Sequence, residues 1–235
     1  IYSTKEKRFV SAEALVRIRE KDGSVVPPIK FVPIAEKTGL ISLIGQIVFQ
    51  KTCAFISENR LKERYGIHYV EVNLSVKQCE KKNFADTFIK IMNEHGVDPS
   101  SINLEITESA PIQTRKIFLK NIQTLLDYGV EFSLDDFGSG ESNLNYIVEM
   151  PVSIVKFDRG MSQAYFADKK ARFVMEAAMH MIHDLKLKIV SEGVETKEQM
   201  EIISGLGIDY IQGYYFSKPL SGEEFLQYIA KENGC

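Results

Sequence analysis

Six apolar, strand-like runs in this 235-residue chain each carry a polar residue suited to holding a cation or a phosphate. HYVEVNLS carries Asn73, INLEIT carries Glu105, and VEFSLDD stops at Asp135 and Asp136. SIVKFD brings Lys156 and Asp158, KIVSEG leads to Glu192, and YIQG contains Gln212. Glu13 in FVSAEALVR is a further instance of the pattern. Carboxylates sit poorly inside β-runs, because burying an unpaired charge is unfavourable. The architecture that gathers the C-terminal ends of many strands into one place is a β/α barrel, whose sites lie at that face.

The rest of the chain fits that architecture. Strand-like segments at about 7–16, 67–74, 102–107, 130–136, 153–157, 187–191 and 208–212 alternate with helical patterns. Helices are expected from near Ile29, over Leu43–Asn59, and over 83–95, 112–128, 142–149, 164–185, 197–205 and 221–231. Such alternation argues for parallel βαβ units, and the strand count favours closure. The expected class is α/β, a TIM-like (β/α)8 barrel. No Gly/Ser linker, low-complexity tract or repeat divides the chain, so residues 1–235 read as a single domain. An N-terminus at Ile1, inside a strand-like run and without Met, reads as a fragment of a longer protein.

Composition excludes some functions. A formal net charge of −3 gives no basic face for duplex nucleic acid. Cys53, Cys79 and Cys235 lack any CxxC spacing, which argues against a disulfide framework or a zinc site and for a reducing, cytoplasmic setting. No run approaches the ~18 apolar residues of a membrane span.

SLDDFGSG is the most specific segment. Adjacent carboxylates are hard to keep ionised together without a cation; two neighbouring metal ions sharing one carboxylate would resolve the conflict. A solvated acidic turn is the plain alternative. Asn73 offers a neutral oxygen that suits Mg²⁺ or Mn²⁺, although it could equally cap a helix. Lys156 in an apolar strand needs a partner. Asp158, two residues on and on the same face, is the expected one, as a structural ion pair or as part of a phosphate site. Glu192 and Glu195 flank a turn, where Glu195 could cap the following helix. His180 and His183, spaced i,i+3, read as packing or surface rather than metal ligands.

In order along the chain stand EALVR (13–17), VNLS (72–75), LEITE (104–108), DDFGSG (135–140), KFD (156–158), EGVE (192–195) and QGYYFSKPL (212–220). Together they resemble the EAL domain, the family that hydrolyses the bacterial second messenger cyclic di-GMP. The resemblance implies a barrel variant whose first strand runs antiparallel to the others. It implies that Glu13, Asn73, Glu105 and Asp135 hold one divalent metal. Asp135 would bridge to a second, supported by Asp136 and Glu192. Lys156 and Glu192 would position and activate water, Gln212 would line the site near it, and Arg17 would contact a substrate phosphate. Glu108 would brace the DDFGSG loop, with Asp158 and Glu195 as supports.

The implied cofactors are two Mg²⁺ or Mn²⁺ ions, with Ca²⁺ inhibitory. The implied product is linear 5′-pGpG. Implied partners are cyclic di-GMP, a second copy in a homodimer, and sensory or GGDEF domains elsewhere in the full protein. A catalytically weak domain that only senses cyclic di-GMP is the main alternative, and an unrelated metal-dependent barrel enzyme is another. One departure stands out. After DDFG-x-G the family usually has an aromatic residue and two serines, whereas Glu141 follows Gly140 here. The expectation is a weakened or relocated dimer contact.

Overall fold

The computed structural model describes residues 1–107, 115–139 and 144–235. Glu108 and Glu141, on which the loop-bracing and dimer-contact expectations rest, lie outside the described residues.

The barrel begins with three short strands, β1 (Tyr2–Ser3), β2 (Arg8–Phe9) and β3 (Ser11–Ala14). A hairpin, β4 (Ile18–Arg19) with β5 (Val25–Val26), follows, then helices α1 (Pro28–Thr38), α2 (Ile41–Asn59) and α3 (Leu61–Tyr65). Alternation then sets in: β6 (Tyr69–Leu74), α4 (Val76–Cys79), α5 (Phe84–His95), β7 (Ile102–Thr107), α6 (Arg115–Tyr128), β8 (Glu131–Phe137), α7 (Leu144–Glu149) and β9 (Ile154–Phe157). Helices α8 (Arg159–Ala167) and α9 (Lys169–Asp184), β10 (Lys188–Ser191), α10 (Lys197–Gly205), β11 (Tyr210–Ile211) and α11 (Gly222–Asn233) complete it.

The nine-stranded sheet runs β2-β1-β11-β10-β9-β8-β7-β6-β3. Its two end strands, β2 and β3, flank the single residue Val10, and that residue closes the ring. Val10 N–H donates to Ile1 O at 3.1 Å on one side, and Val10 O accepts from His68 N–H at 2.6 Å on the other. β3 and β6 through β11 pair in parallel, while β1 runs antiparallel to β11. The antiparallel start is therefore the short strand at Tyr2, and the strand bearing Glu13 is parallel to β6. The single strand expected at 7–16 is two, β2 and β3, and β1 precedes it.

Side-chain alternation divides the wall into two chemistries. Ile102, Leu104 and Ile106 of β7 are buried and join a core that includes Phe118 and Ile122 of α6. The alternate residues Asn103 and Glu105 are equally buried but meet polar groups of other strands: Ser133 Oγ donates to Asn103 Oδ1 at 2.7 Å. The apolar core thus lies between sheet and helices, and the barrel interior is polar. Helices bury one stripe, as with Met175, Met179 and Ile182 of α9.

One helical expectation is corrected. The segment 164–185 is two helices, because Asp168 adopts an extended backbone and its carboxylate caps α9, accepting from Lys170 N–H and Ala171 N–H. Among the described residues no helix is long and apolar enough to cross a membrane.

Candidate active site

Lys156 is the organising residue. It projects from the middle of β9 and is only 1% exposed. Its Nζ bonds Glu105 of β7 and lies 2.9 Å from Glu192 Oε1, 3.2 Å from Glu71 Oε2 and 3.8 Å from Glu13 Oε2. Burial alone would lower the lysine pKa, but Glu105, Glu71, Glu13 and Glu192 together hold it well above its ordinary value. Asn73 Nδ2 donates to Glu13 Oε1 at 2.6 Å, and Gln212 Nε2 donates to Glu13 Oε2 at 2.8 Å. Burial pushes Glu13 up, yet Lys156 and these two amides outweigh it and leave the carboxyl below its usual range.

The remaining carboxylates have too little positive charge to go round. Burial drives Glu105 well above the usual range despite Lys156. Burial also raises Asp135 to about 6 and Glu192 to about 7. Asp136 is raised by burial and by Asp158. Asp135 and Asp136 share a kinked strand end: Asp136 N–H donates to Asp135 Oδ1 at 2.8 Å, and Asp136 sits at φ 58°, the left-handed region. Glu105 Oε2, both oxygens of Glu71 and Gln212 Oε1 are buried without hydrogen-bond partners. Among the described residues no three Asp, Glu, His or Cys side chains are already arranged around an ion; the oxygens converge on the Lys156 ammonium instead. An all-oxygen donor set with surplus buried negative charge nevertheless fits a hard divalent cation.

A cavity of about 1250 Å³ opens onto this cluster, lined among others by Glu13, Arg17, Glu192, Gln212, Tyr214 and Lys218. Its wall depends on a close approach of two turns. Val194 N–H donates to Gln212 O at 3.2 Å and Tyr215 N–H donates to Val194 O at 3.0 Å. A Cβ on Gly213 would lie 2.0 Å from Val194 O, so only glycine fits there.

A closed barrel with carboxylates at its strand ends is a common scaffold for unrelated chemistries. The EAL domain family model matches residues 1–219 of the chain. The chain belongs to the EAL domain family. It is 36% identical over 212 residues to the oxygen sensor protein DosP of Escherichia coli, covering 90% of this chain and 26% of DosP. It is 34% identical over 222 residues to the bifunctional diguanylate cyclase/cyclic di-GMP phosphodiesterase MucR of Pseudomonas aeruginosa, covering 94% of this chain and 32% of MucR. The chain thus spans about a third of these relatives or less. Among solved structures it is similar to the PaMucR phosphodiesterase–cyclic di-GMP complex, with a TM-score of 0.82 and 34% identity, covering 91% of this chain and 86% of that one.

Against the family's motifs, the structure brings Glu13, Asn73, Glu105, Lys156, Glu192 and Gln212 into one hydrogen-bonded cluster. Asp135 and Asp136 adjoin it through the field they exert and feel. Arg17 stands apart on the cavity wall, exposed, with Nη1 donating to Val16 O at 2.8 Å. Two expectations are corrected. Lys156 pairs with glutamates and not with Asp158, because β9 ends at Phe157 and Asp158 turns away to cap α8, accepting from Gly160 N–H at 2.5 Å. Glu195 does not cap α10, which Thr196 and Gln199 close in a capping box; its carboxylate accepts from exposed Arg159 at 2.7 Å.

Sequence reading missed Glu71. It lies two residues before Asn73 and on the same strand face, so the signal that found the others was present one level deeper.

Proposed function

We propose that this EAL domain hydrolyses cyclic di-GMP to linear 5′-pGpG. The observation that carries the reading is the meeting of Glu13, Glu105 and Glu192 on Lys156 at the foot of the large cavity. Family membership and the activity named for MucR support it.

In this reading Glu13, Asn73, Glu105 and Asp135 would hold one divalent cation of the Mg²⁺ or Mn²⁺ type, and Asp135, Asp136 and Glu192 would hold a second. When bound, such cations supply charge neutralisation at the phosphodiester and acidify water. Arg17 binds a phosphate oxygen from the cavity wall through charge-assisted hydrogen bonds. Glu192 takes a proton from the attacking water at its carboxylate. Lys156 Nζ, 2.9 Å from Glu192 Oε1, fixes the direction of that carboxylate. Gln212 holds Glu13 in place through its amide. The water oxygen bonds to phosphorus, the bond from phosphorus to the ribose 3′ oxygen breaks, that oxygen takes a proton from solvent water, and the proton on Glu192 is returned to solvent.

Incubation of the chain with cyclic di-GMP and Mg²⁺ or Mn²⁺, followed by chromatography, tests the proposal. Linear pGpG that disappears with Glu192→Gln is the expected result. Tight binding of intact cyclic di-GMP without cleavage under either ion would replace the enzyme reading by a receptor.

A further inference from the structure

Glu71 is the one member of the lysine cluster to which the reading above gives no task. The four carboxylates around Lys156 differ in depth. The side chains of Glu71 and Glu105 are 0% exposed, that of Glu13 is 12% exposed and that of Glu192 is 21% exposed. Glu71 and Glu105 therefore lie at the floor of the site and Glu192 at its mouth. In register Glu71 stands beside Glu13 of β3 on one side and Asn103 of β7 on the other, one step below Asn73. Neither oxygen of Glu71 has a hydrogen-bond partner. Its one side-chain ion pair among the described residues is with Lys156 Nζ at 3.2 Å, a contact without the alignment of a hydrogen bond.

A buried ammonium and a buried carboxylate each need the other, since an uncompensated charge at that depth is strongly unfavourable. Divalent cations that draw on Glu13, Glu105 and Glu192 would weaken three of the four partners of Lys156, even where Glu192 keeps one oxygen on the ammonium. Glu71 is the partner left outside the cation set, and in register it lies one step below Asn73 and Glu105. Resting on the phosphodiesterase reading, we propose that Glu71 is a positioning residue whose carboxylate anchors the Lys156 ammonium at the barrel floor while the other glutamates turn to divalent cations. Without that anchor Lys156 follows the departing carboxylates and no longer presents its ammonium beneath Glu192.

Lys156 is the one buried lysine among the described residues, which makes its ammonium observable. In ¹⁵N-lysine-labelled protein a shielded, ion-paired ammonium exchanges slowly and gives its own ¹H–¹⁵N cross-peak, while solvated lysines do not. In the wild type this peak is expected to persist at saturating Mg²⁺. In Glu71→Gln it is expected to be present in chelator and lost at saturating Mg²⁺. The same variant is expected to lose about tenfold or more in kcat with KM within about threefold. Retention of the peak in Mg²⁺-loaded Glu71→Gln, or its loss from the Mg²⁺-loaded wild type, overturns the assignment whatever the kinetics. Calorimetry with Mg²⁺ alone confirms loading. A wild type that neither takes up Mg²⁺ nor cuts cyclic di-GMP overturns the underlying reading instead. Should Glu71→Gln not fold, Glu71→Met removes the same charge at similar length and is read in the same way.

Discussion

Raising the pH from about 5 to about 8 in excess chelator is expected to destabilise this protein, because its site carries carboxyls that the fold prefers protonated. Burial, only partly offset by Lys156, moves Asp135 from 3.8 to about 6 and Glu192 from 4.5 to about 7. In both cases the folded value lies above the unfolded one. Folding then favours the bound proton, so the stabilisation is complete below the unfolded values and is lost as pH rises through about 6 and about 7. A pH of about 5 already lies above both unfolded values, so the span to about pH 8 takes about a tenfold displacement from Asp135 and about a hundredfold one from Glu192; at ~1.4 kcal/mol per tenfold the pair surrenders about 4 kcal/mol. For a chain of this length that lowers the melting temperature by roughly 8–16 °C.

Thermal melts across a pH series in chelator measure the effect. Repeating them in Mg²⁺ measures its relief, because a ligand at 100 times its Kd adds about 2.7 kcal/mol per site. Asp135→Asn combined with Glu192→Gln should make the chelator profile shallower, leaving the part carried by Glu105 and Asp136. Melting temperatures that stay level or rise between about pH 5 and about pH 8 in the wild type would refute the reasoning.

Other expectations follow from the same geometry. Glu192→Gln should lower turnover by about 10²–10⁴-fold while cyclic di-GMP binding survives, whereas Glu13→Ala should weaken binding of Mg²⁺ as well; calorimetry and steady-state kinetics on both variants separate the two roles. Ca²⁺ in place of Mg²⁺ should support nucleotide binding without cleavage, since it polarises water less and accepts looser coordination, and equal turnover with Ca²⁺ in the chromatographic assay would contradict this. Gly213→Ala should lose about 3 kcal/mol or more in urea unfolding, because its methyl group meets the rigid backbone of Val194. Glu141→Tyr should strengthen self-association and lower the Mg²⁺ requirement, because like charges repel across a symmetric interface and aromatic residues suit one; sedimentation velocity and a Mg²⁺ titration read both.

Much of the barrel was legible because its strands are long enough to show a period. The segment 102–107 is strand β7 and 197–205 is helix α10, as the sequence pattern indicates. The opening of the chain was not legible in the same way. Strands β1 and β2 have two residues each, too few for alternation to appear, and their pairing is set by contacts across the ring. The break at Asp168 was hidden because Lys169–Asp184 continues a helical pattern without Gly or Pro. An aspartate that caps one helix is indistinguishable by composition from one in the middle of another.

The site shows the same division between what residue type reveals and what depth decides. Polar residues at alternate positions of β6 through β9 announced that the barrel interior is not an apolar core. The apolar residues between them, such as Leu104 and Val155, already satisfy the packing beneath the helices, so the inner face is free to be polar. What the pattern could not specify is which carboxylate meets which cation. Lys156 and Asp158 looked like a pair on an extended strand, but the strand stops one residue too soon. Glu71 does not stand out at a strand end, because it lies inside β6, two residues before Asn73. A lone ammonium surrounded by more carboxylates than it can neutralise makes sense only if further positive charge enters from the mouth. Exposure separates Glu192 and Glu13 from the fully buried Glu105 and Glu71, and register sets Glu71 one step below Glu105, the position from which it can keep the lysine.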